Sequence, residues 1–536
     1  METHRNHSHH TGAPPRPRRH DLDALRALAM LLGILLHALM SFLPGLWPVQ
    51  DASASPGLGI LLILIHGFRM PLFFLVSGFF TALLWRQRGL KALIQQRLLR
   101  ILVPCLLGLL TIVPLYRWVV SKAEVPPAVP VAPQPAQTLA EAAQQGSSEQ
   151  ARRFLAAGAD PNTPDSKFGV TPLSWAAMQG EVALVQLLIE KGAKVNQPNK
   201  DGSFPLHCAA FLGQDTVVET LLQSGANPTT RTQRGYTPTQ VTYSDRTVTQ
   251  PLIGQLGLPA RSQESIAAGQ ERCRALLPAP APQAKTAWET ARTRYGAFLR
   301  APWFATPVFE HLWFLWFLCW LLPLFVLWTR RAERKTRPRP LWLVPLTLLP
   351  QLFMGISMPS FGPDTATGLV PPPHLLAYYA VFFFFGALYY EADDTQGVLG
   401  RRWKLTLSLA LSLVLPLGLI TMTLAPILSQ LLQVLYAWLM VFGLLGLARH
   451  VLSRENARLR YLADASYWLY VAHLPLVVAF QILVRNSALP MPVKLLVILV
   501  GTLTLLLASY QFVVRPLQPF LRRLWSKEGK RRETNT

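Results

Sequence analysis

Runs of about 20 mostly apolar residues recur along this 536-residue chain and constrain its fold more than any other feature. A helix needs about 20 such residues to cross a hydrocarbon core of about 30 Å. Only 15% of the residues are charged, whereas roughly 25% is usual in soluble globular proteins. We therefore predict an all-α, polytopic membrane bundle of about ten spans, at 22–45, 57–84, 98–120, 311–329, 341–358, 374–390, 404–423, 426–448, 462–484 and 495–514.

Positive charges gather in alternate loops between these spans. Arg86 follows the second span, Arg330 the fourth and Arg401 the sixth, each with further cations. The opposite short loops contain only Asp51 and Asp364 as charges. Because cationic loops resist translocation, both termini should be cytoplasmic, in a bacterial inner membrane. The formal net charge of +23 then indicates contact with acidic membrane lipids rather than with nucleic acid.

Residues 121–300 interrupt this pattern with a 33-residue repeat. Gly169, Gly202 and Gly235 each open a similar phrase, and a degenerate copy precedes them. Thr-Pro or Phe-Pro starts a helix in each complete unit, and glycines end the helices. The period and the phrase Pro-Leu-His-x-Ala, which contains His207, resemble the ankyrin repeat. We predict an inserted α-solenoid in which His207 is structural, because one repeat alone cannot bury its apolar face.

The insert follows three spans and should therefore lie on the side opposite the termini, in the periplasm. The sequence leaves open whether it binds a protein or glycan partner or is an inert spacer. The four cysteines show no disulfide or metal-ligand spacing, so we expect free thiols. The predicted order is a disordered cytoplasmic tail (1–20), a membrane part with three spans (21–120), ankyrin repeats (137–245), a linker (246–304), a membrane part with seven spans (305–515) and a basic cytoplasmic tail (516–536).

Ionisable residues inside spans are costly to insert and therefore indicate function. Arg26 and His37 are eleven residues apart in the first span, close to three helical turns, so they share one face. His66 and Arg69 share a face of the second span at i, i+3. A histidine in such a pocket can act as a general base towards a sugar hydroxyl, and an arginine can stabilise a carbonyl oxygen or bind an anionic donor.

These residues resemble the acyltransferase-3 family of membrane acyltransferases. The family's R-x10-H motif is matched by Arg26 and His37, and its R-x-x-R motif by Arg97 and Arg100. Further matches are Ser77-Gly78, the phrase HLWFLWFL that starts at His311, and the phrase SYWLYVAHLP that contains His473. The resemblance covers 20–120 and 305–525, and it looks closest to the branch that includes the periplasmic-glucan succinyltransferase.

The resemblance implies that His37 is the catalytic base and that Arg26 supports it or contacts the donor. Arg97 and Arg100 would meet the phosphates of coenzyme A. It also implies acyl-CoA as donor, with no bound cofactor or metal, and an envelope glycan as acceptor of a succinyl or acetyl group. His66, Arg69, His311 and His473 are the predicted substrate-binding residues.

Each assignment has a structural alternative. Membrane histidines can serve helix packing alone, and Arg97 with Arg100 can be ordinary cytoplasmic anchors. Two other classes of protein also fit many of the same features. A transporter or exporter would have a similar number of spans, and a membrane scaffold would use the bundle only to anchor the ankyrin repeats.

Overall fold

The computed structural model describes residues 19–517 apart from 44–46, 52, 54–55, 124–135, 234, 245–248, 250–251, 255, 260, 280–286, 331–341 and 356–360. Almost all of both predicted tails lies outside the described residues. So do the Pro-rich segment at 125–135 and the cations at 331–339.

Every regular element of the described chain is helical. The first membrane part comprises α1 (His20–Leu39), α2 (Gly59–Arg97) and α3 (Val103–Ser121). The insert comprises α4 (Leu139–Gln144), α5 (Ser148–Ala156), α6 (Pro172–Gln179), α7 (Val182–Glu190), α8 (Pro205–Phe211), α9 (Asp215–Gln223), α10 (Pro238–Val241), α11 (Gln263–Leu276), α12 (Ala287–Leu299) and α13 (Pro302–Ala305). The second membrane part comprises α14 (Trp313–Thr329), α15 (Leu343–Gln351), α16 (Pro373–Glu391), α17 (Trp403–Leu409), α18 (Leu415–Leu424), α19 (Pro426–Val451), α20 (Ala457–Val484) and α21 (Met491–Ser509).

Eight helical stretches of the described chain are long and apolar enough to cross a membrane, and they include nine of the ten predicted spans. The longest, Gly59–Ser121, contains two of those spans. Gly89 interrupts it with a φ of 78°, and Arg97 Nη2 donates to Thr81 Oγ1 at 2.6 Å. Sixteen residues of straight helix would separate these two residues by about 24 Å, so the chain folds back at Gly89.

The fifth predicted span, 341–358, is different, because its described part forms only the nine-residue helix α15. Ion pairs nevertheless show that the chain crosses from one end of the bundle to the other in this region. Arg86 pairs with Glu391 at 2.7 Å, and Arg117 pairs with Glu310 at 3.2 Å at the opposite end of the bundle. Helix α14 therefore ends where α16 also ends, and the chain must return to the other end between Thr329 and Pro373.

Helices α2 and α16 pack closely because glycine lies at their contact. A Cβ atom on Gly78 would collide with the carbonyl oxygen of Phe383, and one on Gly386 would collide with that of Leu75. Small residues let membrane helices approach backbone to backbone. Gly78 of the Ser-Gly pair is therefore required by packing.

The inserted repeats stack as predicted, with helices α4, α6, α8 and α10 in consecutive contact. His207 Nε2 donates to the carbonyl oxygen of Tyr236 in the next repeat at 2.9 Å, which gives this histidine the structural role that the motif predicts. All four cysteines are free, also as predicted. Burial raises the pKa of Cys208 and of Cys273 to about 12, so both thiols are neutral at physiological pH.

Helix α11 lies in the segment that the sequence assigns to a linker, yet it packs on the last repeats. Ile266 and Cys273 are fully buried against them. Gln270 Nε2 donates to the carbonyl oxygen of Phe211 at 2.7 Å, and Arg272 pairs with Asp215 at 2.7 Å. The helix thus covers the end of a stack whose final repeat is truncated.

Candidate active site

Three histidines from distant parts of the sequence meet inside the membrane bundle. The rings of His37 on α1 and His473 on α20 have centroids 5.2 Å apart. The ring of His311, in the 3-10 turn Glu310–Leu312 before α14, lies 5.2 Å from that of His473. The structure therefore brings together three residues that the sequence selected separately.

A proline explains how His311 is held. Pro475 lies inside α20 and has no N–H, so the carbonyl oxygen of Val471, four residues earlier, lacks its helical donor. His311 Nε2 donates to this oxygen at 2.9 Å. The Tyr470 hydroxyl also donates to the backbone carbonyl of His311. Two bonds thus fasten the 3-10 turn to α20.

These bonds also fix which ring nitrogens carry hydrogen. A carbonyl oxygen only accepts a hydrogen bond, so the ring nitrogen that contacts it must carry the hydrogen. His311 is therefore protonated on Nε2. His473 is protonated on Nδ1, which contacts the carbonyl oxygen of Tyr470 at 2.7 Å. Among the described residues, the remaining nitrogens, His311 Nδ1 and His473 Nε2, are buried and have no hydrogen-bond partner, and the same is true of His37 Nδ1. Neutral imidazoles in this state can accept a proton from a bound hydroxyl.

Arg69 on α2 is a buried cation beside these histidines. It is 8% exposed, and no carboxylate pairs with it among the described residues. Its Nε atom also has no hydrogen-bond partner in the part of the chain that the structure describes. Its Nη1 atom packs closely against Gly33 of α1, because a Cβ atom on Gly33 would be only 2.7 Å from Nη1. Gly33 lies one helical turn before His37. A buried charge without a counter-ion is strongly unfavourable unless a ligand neutralises it.

His66 lies one turn before Arg69 but is held by a loop. Its Nε2 atom donates to the carbonyl oxygen of Pro363 at 2.9 Å. Gly362 packs so closely on the imidazole that a Cβ there would be 2.8 Å from His66 Cδ2. His66 is close enough to His37 for their charges to interact, and its Nε2 atom is already engaged by the loop.

The predicted donor-binding arginines form a second group. Arg26 Nη2 donates to the carbonyl oxygen of Ala463 at 2.9 Å and pairs with Asp23 at 3.4 Å. The charges of Arg97, Arg100 and Arg26 are close enough to interact. Eleven residues of α1 separate Arg26 from His37, about 16 Å. The structure thus groups Arg26 with the R-x-x-R arginines and not with His37.

Sequence reasoning missed several residues that hold this site. Trp47 packs on His37, and Gln481 hydrogen-bonds to both the Trp47 indole and the carbonyl oxygen of His37. Asp51 pairs with Lys494 in the interior. The available signals were the polar Gln481 inside a span and the proline two residues after His473.

Comparisons with known proteins identify the family of the chain. A family model described as an acyltransferase domain matches residues 19–176 and 281–511, more than half of the chain. A model of three ankyrin repeats matches residues 139–232. Similar proteins include the Glucans biosynthesis protein C of Salmonella paratyphi B, of Salmonella heidelberg and of Salmonella enteritidis, each 38% identical over 101 residues. The match covers 19% of this chain and a quarter of each relative's length. The chain therefore belongs to the acyltransferase-3 family, as a multi-pass membrane protein with inserted ankyrin repeats.

Proposed function

We propose that the protein is an integral membrane O-acyltransferase that moves an acyl group from acyl-CoA to a hydroxyl of an envelope glycan. The observation that carries this proposal is the group of three imidazoles beside Arg69, in which ring nitrogens and the guanidinium have no partner within the described chain. A transport pathway or a passive anchor does not require this combination, whereas acyl transfer uses both a base and a cation.

In the proposed reaction His37 is the general base. His37 Nδ1 takes the proton of the acceptor hydroxyl while the oxygen attacks the thioester carbonyl carbon. The new C–O bond forms, the C–S bond breaks, and the proton passes to the departing coenzyme A thiolate. His311 Nδ1 and His473 Nε2 accept hydrogen bonds from neighbouring hydroxyls of the acceptor and so orient it.

The position of Arg69 favours succinyl over acetyl as the transferred acyl group. Both acyl groups develop a negative carbonyl oxygen during transfer, which a guanidinium can stabilise. A succinyl group carries in addition a free carboxylate, and arginine binds a carboxylate through two parallel hydrogen bonds. The absence of any carboxylate paired with Arg69 in the described chain leaves this position to the substrate.

The donor is proposed to bind at the other arginine group. Arg97 and Arg100, with Arg26, would hold the phosphates of coenzyme A on the cytoplasmic side. The pantetheine arm would then follow α1 for about 16 Å towards His37. In this proposal the protein lies in a bacterial inner membrane, and the acceptor and the ankyrin repeats lie in the periplasm.

Mass spectrometry of envelope glycans tests the proposal in cells that carry the wild type, His37→Ala or an empty vector. We expect an added succinyl mass with the wild type alone, while immunoblotting shows equal amounts of both proteins in the membrane. Identical glycans in wild-type and vector cells would contradict the proposed acyltransferase function and favour export or scaffolding.

A further inference from the structure

Trp47 lies directly against the proposed catalytic base. The indole and the His37 imidazole have centroids 5.6 Å apart and planes tilted by 32°. Within the described chain, Trp47 and His473 are the two residues whose rings contact His37. Trp47 is only half-buried, so part of the indole is accessible to an approaching molecule.

A buried amide fixes the indole relative to the base. Gln481 is 1% exposed, and its Oε1 atom accepts from Trp47 Nε1 at 2.8 Å. Its Nε2 atom donates to the carbonyl oxygens of His37 at 2.9 Å and Ala38 at 3.3 Å. These carbonyls belong to the last turn of α1, and that of His37 also accepts from the backbone N–H of Met40, the residue after the helix. One side chain therefore connects the indole to the helix end that carries the base.

The segment that carries Trp47 is also held from its other side. Lys494 Nζ lies 3.0 Å from both carboxylate oxygens of Asp51, and the two side chains are 3% and 2% exposed. The backbone N–H of Asp51 donates to the carbonyl oxygen of Ser41 at 3.0 Å. Val49, between Trp47 and Asp51, is fully buried. Residues 47–51 therefore hold the indole in place before any ligand arrives.

We propose that Trp47 positions the acceptor, an inference that depends on the function proposed above. A sugar ring has apolar C–H faces and a polar edge, so it can pack a face on the indole while a hydroxyl of its edge reaches His37. Aromatic side chains supply such apolar contact area beside polar groups. Gln481 is a positioning residue that acts through Trp47 and His37.

Steady-state kinetics of the purified full-length protein in lipid nanodiscs tests this role, with succinyl-CoA as donor and β-gluco-oligosaccharides as acceptor. We expect Trp47→Leu to raise the acceptor KM about fivefold to tenfold and to leave the donor KM unchanged. Trp47→Phe should recover most of the loss, because it retains an aromatic face. The matched control is Trp118→Leu on α3, which replaces an indole that is 60% exposed. It should change neither the acceptor KM nor the donor KM.

The outcomes separate this role from a structural one. Equal effects on the donor and acceptor constants, or a Phe variant no better than the Leu variant, would overturn the acceptor-positioning role. Kinetics of Trp47→Leu that match the wild type would overturn it as well, while leaving the proposed function intact. A wild-type protein that acylates no oligosaccharide would overturn the proposed function and this inference together.

Discussion

The ankyrin repeats and the membrane bundle bury polar groups in different ways. In the repeats, the N–H of Thr171 donates to Asn199 and His207 donates to the Tyr236 backbone, so these buried polar residues connect one repeat to the next. The buried charged residues of the described chain all lie in the membrane part, namely Asp21, Asp23, Asp51, Arg69 and Lys494. All of these except Arg69 have an ion-pair partner within the described chain. The exception, Arg69, lies beside the histidine cluster, so in the proposed function it is the one of these five charges that a bound ligand would neutralise.

The strongest test of this contrast removes the proposed base. We expect His37→Gln to lower kcat about 10²- to 10⁴-fold, because proton transfer by a positioned side chain contributes this much to a rate. Succinyl transfer by the purified protein measures the effect. His450→Gln, which changes an exposed histidine on α19, is the matched control and should keep full activity. A His37 variant as active as the control would show that this histidine serves packing alone.

The buried ion pair offers a test of structural polarity within the bundle itself. Asp51→Asn should destabilise the protein by about 3–5 kcal/mol, because it leaves the Lys494 ammonium buried without its partner. Thermal unfolding in detergent, followed by size-exclusion chromatography, measures the loss. The double variant Asp51→Asn with Lys494→Met should recover much of the stability. Unfolding of the single variant at the wild-type temperature would contradict the pairing.

Arg69 should affect the choice of acyl group more than the folding of the bundle. We expect Arg69→Gln to lower kcat/KM for succinyl-CoA about 10- to 100-fold more than for acetyl-CoA, because a hydrogen bond to a charged group contributes about 1.5–3 kcal/mol. Parallel assays with the two donors measure the ratio. Arg69→Lys keeps the charge but loses the paired hydrogen bonds, so its preference for succinyl-CoA should fall between those of the wild type and of Arg69→Gln. An equal decrease for both donors would assign Arg69 to the carbonyl oxygen.

The smallest expected effect concerns His207 of the repeats. His207→Ala should destabilise the stack by about 1–3 kcal/mol, because the Tyr236 carbonyl loses its donor. Cys208 is the reporter, since its buried thiol has a pKa raised to about 12 and should react with maleimide only when the repeat opens. Peptide mass spectrometry of the labelled full-length protein should show faster modification of Cys208 in the variant. An unchanged labelling rate would mean that the bond contributes little.

The sequence predicted those parts of the molecule that local patterns encode. Apolar length predicts the spans, and the 33-residue period predicts the repeats. Arg26 and His37 were recognisable because they are charged or titratable within one apolar helix. The meeting of His37 with His311 and His473 could not be derived in this way, because it depends on how helices far apart in the chain pack.

Two further segments differ in detail from what their local patterns predict. The fifth predicted span has enough apolar residues, but its described helix ends after nine residues, and its prolines Pro345 and Pro350 lower helix propensity. The segment 246–304 reads as a linker because it is polar and rich in Pro and Ala. Its helix α11 is held by the exposed end of the repeat stack, which no local pattern reveals.

Contacts within the bundle hold together the two positions between which the ankyrin repeats are inserted. Arg117 Nη2 donates to the carbonyl oxygen of Pro307 at 2.6 Å and pairs with Glu310, so the chain leaves and returns at neighbouring positions. The N–H groups of Val308 and Phe309 both donate to the carbonyl oxygen of Thr367, which anchors the returning segment before it reaches His311. The two ends of the insert thus leave the bundle close together, and we expect that a different domain with adjacent termini could be placed at this junction without disturbing the histidine cluster.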